Sequence, residues 1–166
     1  MKMRLDAPTR SDVAYVAARM RERDATEFLA VSRVDTRAEL VNGLIDRYGG
    51  APDAFCAYLD DTPVAVGAMV EHRPNVVTLM FFATDRLPEI GLALTRWITR
   101  QLFPQYRARG VHRIECASID GYEEVHRWVE ALGLRREAVM PKYGKGGETY
   151  VQFAWVADEG QAGLGE

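Results

Sequence analysis

Apolar and polar positions change their period several times along the chain, and each change marks an element. Across residues 8–28, Val13, Val16, Ala17 and Met20 recur at helical spacing behind Pro8, Thr9 and Asp12, a start signal close to a capping box; a single helix is expected there, after a short first strand in MRLDA. Leu40, Leu44, Ile45 and Tyr48 share one face of a second helix over 36–48, stopped by Gly49-Gly50. Three strand-like runs follow at 54–60, 63–72 and 75–84, separated by the turn chemistry of Asp60-Asp61-Thr62-Pro63 and Arg73-Pro74-Asn75. Loops that short imply an antiparallel meander, and the third run is apolar nearly throughout, which predicts a central strand buried on both faces. From about Pro88, Ile90, Leu94, Trp97, Ile98 and Leu102 form the inward stripe of another helix. A strand over 110–118, a helix over 121–133 capped by Gly133, and strands over 134–140 and 148–156 joined by a glycine-rich hairpin loop complete the pattern.

The resulting order, β-α-α-β-β-β-α-β-α-β-β, defines an α/β fold. Its middle β-α-β must be a right-handed parallel crossover, and the whole forms a mixed sheet flanked by helices. The 166 residues are most simply one domain, expected over 1–157, followed by a flexible tail over 158–166 with almost nothing to bury. A net charge of −3 argues against a nucleic-acid partner but leaves a small anionic ligand open. Cys56 and Cys116 sit in apolar strand-like runs and read as free, buried thiols of a reducing, cytoplasmic compartment. No histidine or cysteine cluster has metal-ligand spacing, so no metal is expected. No apolar run approaches a membrane span, and the N-terminus lacks a signal-peptide core.

The stretch DRLPEIGLALTRW, residues 85–97, couples the central strand to a glycine at a helix start, the usual way to hold a phosphate on unpaired first-turn amides and the helix dipole. In this element order it resembles the acyl-CoA turn of the GCN5-related N-acetyltransferase (GNAT) superfamily, typically Gln/Arg-x-x-Gly-x-Gly/Ala after the fourth strand. MRLDAPTRSDVAYV resembles the opening of that family and YEEVHRWVEALGL its later helix, so the resemblance runs over roughly residues 3–157. It implies that acetyl-CoA lies against Phe82, Ala83, Arg86, Ile90, Gly91, Leu92 and Ala93, with Phe82 and Ala83 offering backbone to the pantetheine. It also implies an amine that attacks the thioester directly. The chain departs from the family pattern at Pro88 and Glu89, where a proline removes a donor and a carboxylate approaches the pyrophosphate position. It departs again at Val129, where the family usually carries the tyrosine that protonates the departing thiolate.

Glu71 and His72 end the second of the three strand-like runs, the third strand, in VEHRPN, where either group is placed to take a proton from an ammonium, or simply to solvate a strand end. Ser118 reads as a pantetheine contact or a loop serine. His126 reads as a surface partner of Tyr122 and Glu130 at helical spacing. Tyr143 and Tyr150 either border the acceptor side of the family cleft or are ordinary strand residues. YGKGGE lacks the spacing of a nucleotide loop. The function expected is acyl-CoA-dependent N-acyltransfer to a primary amine of a small molecule or peptide. The alternative is a catalytically eroded GNAT-like binding or structural module, such as a phage accessory or virion protein. A homodimer through last-strand pairing suits either.

Overall fold

The computed structural model describes residues 2–158, so the tail expected over 158–166 lies, from residue 159 on, outside the described residues. Seven strands, β1 (Met3–Asp6), β2 (Ala54–Leu59), β3 (Thr62–Arg73), β4 (Val76–Ala83), β5 (Arg113–Ile119), β6 (Arg135–Met140) and β7 (Tyr150–Val156), form one sheet in the order β1-β2-β3-β4-β5-β7-β6. The β4–β5 pair is parallel and the rest are antiparallel, as the expected crossover requires. Helices α1 (Arg10–Ala18), α2 (Glu22–Ala30) and α3 (Arg37–Tyr48) cover one face, where Val13, Val16 and Leu40 pack with Met80 and Phe82. Helices α4 (Leu87–Trp97), α5 (Phe103–Ala108) and α6 (Glu123–Ala131) cover the other, where Ile90, Leu94 and Val129 pack with Leu79 and Ile114. Successive residues of β4 thus feed opposite cores, which is why its sequence shows no polar face.

The capping box expected at α1 is present: Thr9 Oγ1 accepts from Asp12 N–H at 3.1 Å and Asp12 accepts from Thr9 N–H at 2.9 Å. Tyr58 ties it to the sheet by donating its hydroxyl hydrogen to Asp12 at 2.6 Å.

Two helices differ from expectation. The single helix over 8–28 is broken into α1 and α2 at residues 19–21, where Met20 bridges to Thr84 and Arg21 N–H donates to Ala83 C=O at 3.0 Å. The strand-edge groups at the end of β4 outcompete the helix for this segment. Met20 stays buried either way, so the apolar period could not reveal the break. The helix expected from Pro88 begins at Leu87 and is interrupted after Trp97 by a π turn, Ile98–Leu102, closed by Phe103 N–H donating to Ile98 C=O. Pro104 is the cause: it has no N–H for the Arg100 carbonyl, and the wider turn accommodates the loss.

Where β2 and β3 pair, Phe55 lies opposite Gly67, and a Cβ on Gly67 would come within 2.3 Å of the Phe55 ring. The ring is backed by Trp97, edge-on at 4.9 Å between centroids, and has nowhere to move. Gly67→Ala should therefore lower stability by about 1–3 kcal/mol through overpacking. Urea denaturation should show a lower midpoint with the same m-value; an unchanged midpoint would mean that the Phe55 ring swings free.

Candidate active site

The sheet comes apart in its middle. Parallel pairing of β4 with β5 ends at Thr78–Glu115, and the two strands then diverge. Thr84 N–H donates to Val64 C=O, so the alternation along β4 turns the backbone groups of Phe81 and Ala83 away from β3 and into the gap. On β5, Asp120 N–H donates to Thr149 C=O, so Ala117 and Ile119 face the gap from the other side. The outer groups are satisfied by α2: Ala83 N–H donates to Asp24 at 2.9 Å and Ile119 N–H donates to Glu27 at 2.9 Å. The inner pair, Phe81 and Ala117, borders a cavity of about 530 Å³ that passes through the opened sheet. Its wall on one face comes from α2, through Glu27, Phe28 and Val31, with Tyr143 and Tyr150. On the other it comes from Gly91 of α4 and from Val125, Trp128 and Val129 of α6.

The two α2 carboxylates have different surroundings. Asp24, 6% exposed, takes Arg21 Nε at 3.0 Å and Nη2 at 2.9 Å in addition to the Ala83 amide, so its charge is matched. Glu27 makes no ion pair among the described residues. Its Oε1 accepts from Ser118 Oγ at 2.6 Å and from Ile119 N–H, which leaves Oε2 to the cavity. Burial raises the Glu27 pKa, partly opposed by those two donors. Tyr150 donates its hydroxyl hydrogen to the Glu27 carbonyl at 2.7 Å and stacks at a tilt on Tyr143, centroids 5.0 Å apart; burial raises its pKa too. Arg23 pairs with Glu124 of α6 at the cavity rim. Cys116 lies in the wall, but burial pushes its thiol up to about 12, so it is no nucleophile at neutral pH.

Of the residues the sequence nominated for the donor turn and the base, Gly91 is the one that reaches the cavity, and a Cβ there would meet open space; Ser118, Tyr143 and Tyr150 line it as well. Leu92 is 68% exposed and Ala93 is exposed as well, because the helix that buries Ile90 and Leu94 must turn these two outward. Ile90 belongs to the core. Phe82 turns its backbone to β3, and the Ala83 groups are taken by Asp24 and Arg21, so the strand residue open to the cavity is Phe81. Its ring stacks on Trp128 at 4.6 Å, and Trp128 Nε1–H donates to Thr95. Arg86 is bound to Glu89 by bonds of 2.9 and 3.3 Å, so that the Glu89 carboxylate faces Arg86 outside the cavity. At the start of α4, Leu87 N–H donates to Thr84 C=O and Glu89 N–H to Arg86 C=O, and Pro88 has none to give. Glu71 and His72 are exposed at the β3–β4 turn, where the strands remain paired, and neither lines the cavity. His126 is buried, not a surface group: its Nε2–H donates to Ile119 C=O at 3.0 Å and its ring packs on Phe153. Sequence reading missed Asp24 and Glu27. The signal was there, since Asp24, Glu27, Phe28 and Val31 fall at i, i+3, i+4 and i+7 and share one face of α2. Among the described residues no group of three or more metal-binding side chains is arranged to hold an ion, and no helix is long and apolar enough to cross a membrane.

The opened mixed sheet is the architecture of the GNAT acetyltransferases. An acetyltransferase (GNAT family) from Bacillus anthracis superposes with a TM-score of 0.70 at 15% identity, covering 94% of this chain and 95% of that one. The yncA structure from Salmonella typhimurium, described with its cofactor acetyl-CoA, gives 0.63 at 15% identity and 95% of both chains. Ribosomal-protein-alanine N-acetyltransferase from Brucella melitensis gives 0.65 at 16% identity, covering 92% and 99%. No protein-family model and no curated protein matches the sequence. The chain therefore has the GNAT fold, as its element order implied.

Asp24→Ala should leave the Arg21 charge and the Ala83 amide without a partner and cost about 3 kcal/mol. Chemical denaturation should read this loss, and hydrogen exchange should speed up at Ala83; protection as in the parent would show that α2 does not hold the lip of β4.

Proposed function

We propose that the protein is an acyl-CoA-dependent N-acyltransferase with acetyl-CoA as donor. The observation that carries this reading is the cavity running through the divergence of β4 and β5, bordered by unspent strand-edge backbone and one carboxylate without a cation. The acetyl-CoA bound by one structural neighbour supports the choice of donor. An extended pantetheine arm fits beside Phe81 and Ala117 as an added strand would, through its amides. Gly91 leaves room for the coenzyme on the α4–α6 side. The acceptor enters from the α2 side, where Glu27 lies.

Glu27 takes the proton from the incoming ammonium, either directly or through one water. The freed amine attacks the thioester carbonyl carbon, and the Phe81 amide donates to the oxygen as its negative charge grows. The C–S bond then breaks, the nitrogen gives up its second proton to solvent, and the thiolate takes one from solvent. The protonated Cys116 thiol accords with direct transfer and no acyl-enzyme. The distance of Glu71 and His72 from the cavity supports Glu27 on α2 as the base in place of the β3–β4 turn.

Two measurements test this. Acetyl-CoA at 100 times its Kd should stabilise the fold by about 2.7 kcal/mol, seen as a raised Tm. Gly91→Glu should unfold at an equal or higher temperature, since glutamate suits a helix better by roughly 0.5–1 kcal/mol, yet lose the acetyl-CoA shift. A retained shift would move the donor site away from α4.

Glu27→Gln keeps an acceptor for Ser118 and Ile119 but has no basic carboxylate. Its kcat should fall by about 10²–10⁴. In the parent, kcat/KM should climb with pH through the raised pKa of Glu27, and the variant should lack that limb. Because the folded state holds this proton more tightly than the unfolded chain does, the stability from Glu27 is complete at low pH and declines as pH rises through the folded pKa. The variant should therefore be no less stable at pH 7. A parent-like pH profile would remove Glu27 from the chemistry.

A further inference from the structure

The acceptor half of the cavity holds four charged side chains, and three of them are already neutralised. Asp24 carries Arg21 on both oxygens, and Arg23 is paired with Glu124. Among the charged side chains of α2 and Arg21, Glu27 alone makes no ion pair and keeps a carboxylate oxygen for the cavity; the other unpaired carboxylate of the lining, Asp85, belongs to the turn between β4 and α4. The surrounding wall is apolar and aromatic: Phe28 next to Glu27, Val31 one turn on at the end of α2, Met80 on the strand, and Tyr143 with Tyr150 opposite. Val31 is 53% exposed and Tyr143 50% exposed, so two large side chains stand uncovered at the entrance.

This wall is fixed. The 141–149 loop that carries Tyr143 is clasped to the end of α2 by Lys145. Its backbone N–H donates to Ala30 C=O at 2.7 Å, and its Nζ donates to Ser32 C=O at 3.0 Å, to Val34 C=O at 2.7 Å and to Asp35 at 2.9 Å.

From this arrangement, and resting on the acyltransfer reading, we infer that the acceptor is a primary amine with a single positive charge on an aryl-alkyl or branched-alkyl body. One ammonium satisfies Glu27, and the body covers Phe28, Val31 and Tyr143. A second ammonium, as in a polyamine, meets apolar walls or the neighbouring arginines on this side, the unpaired Asp85 standing in the turn before α4, on the side given to the donor. The carboxylate of an α-amino acid is carried within a few ångströms of Glu27 and repelled by it. Selectivity thus arises from what the site leaves unpaired in the wrong ligand.

The test is titration calorimetry on the full chain without donor, using 2-phenylethylamine, spermidine and phenylalanine. Phenylethylamine should bind about tenfold or more tightly than either of the others, and Glu27→Gln should weaken it by about tenfold through loss of the charge-assisted hydrogen bond. Tyr143→Ala, at a half-exposed position that cannot unfold the protein, should weaken it by several-fold. Spermidine or phenylalanine binding as tightly, no measurable binding of phenylethylamine, or unchanged affinity in both variants would overturn the inference. Because acetyl-CoA is absent from this experiment, these outcomes bear on the acceptor alone, whereas a missing acetyl-CoA shift bears on the acyltransfer reading.

Discussion

A sheet that opens in its middle must satisfy the backbone groups it exposes, and this requirement organises the molecule. Past Thr78 and Glu115 the two central strands lose each other as partners. Buried amides left that way would each cost a kilocalorie or more. Helix α2 resolves the problem with Asp24 on Ala83 and Glu27 on Ile119, two side chains three residues apart gripping opposite lips of the gap. Met20 and Arg21 extend along β4 for the same reason, and the break between α1 and α2 follows. The cavity is what remains between the satisfied outer groups and the last paired residues.

The electrostatics follow from the same placement. Asp24 has Arg21 within reach and becomes part of the frame. Glu27, one turn on, receives only neutral donors, and burial raises its pKa. One helix thus carries two carboxylates in different settings, set apart by whether a guanidinium is bonded to them. At the start of α4, by contrast, the charges cancel locally: Arg86 and Glu89 hold each other at the surface.

Much of the fold was legible because it rests on local rules. The capping box of Thr9 and Asp12, the meander from β2 to β4, the unbroken apolar run of the central strand and the parallel crossover all follow from spacing and turn chemistry. The break at residues 19–21 was not legible, since Met20 is buried in either backbone. The site was read less well, and for a related reason. Glu27 acquires its place in the cavity wall beside Ser118, 91 residues away, and no local pattern announces that contact. Gly91 was found by its position at a helix start, but the same argument extended to Leu92 and Ala93 ignored the helical period that, once Ile90 and Leu94 are inside, must place them outside.

The clasp formed by Lys145 separates two responsibilities that α2 would otherwise bear alone. Asp24 and Glu27 cannot lose their acceptors without disturbing the sheet they prop open. The 141–149 loop is anchored at its tip through main-chain carbonyls, which any sequence in α2 and its following turn supplies. Tyr143 can therefore be exchanged while the scaffold stays intact. Change in the shape of the cavity entrance has an inexpensive route through this loop, and an engineer wishing to reshape it has a natural place to begin.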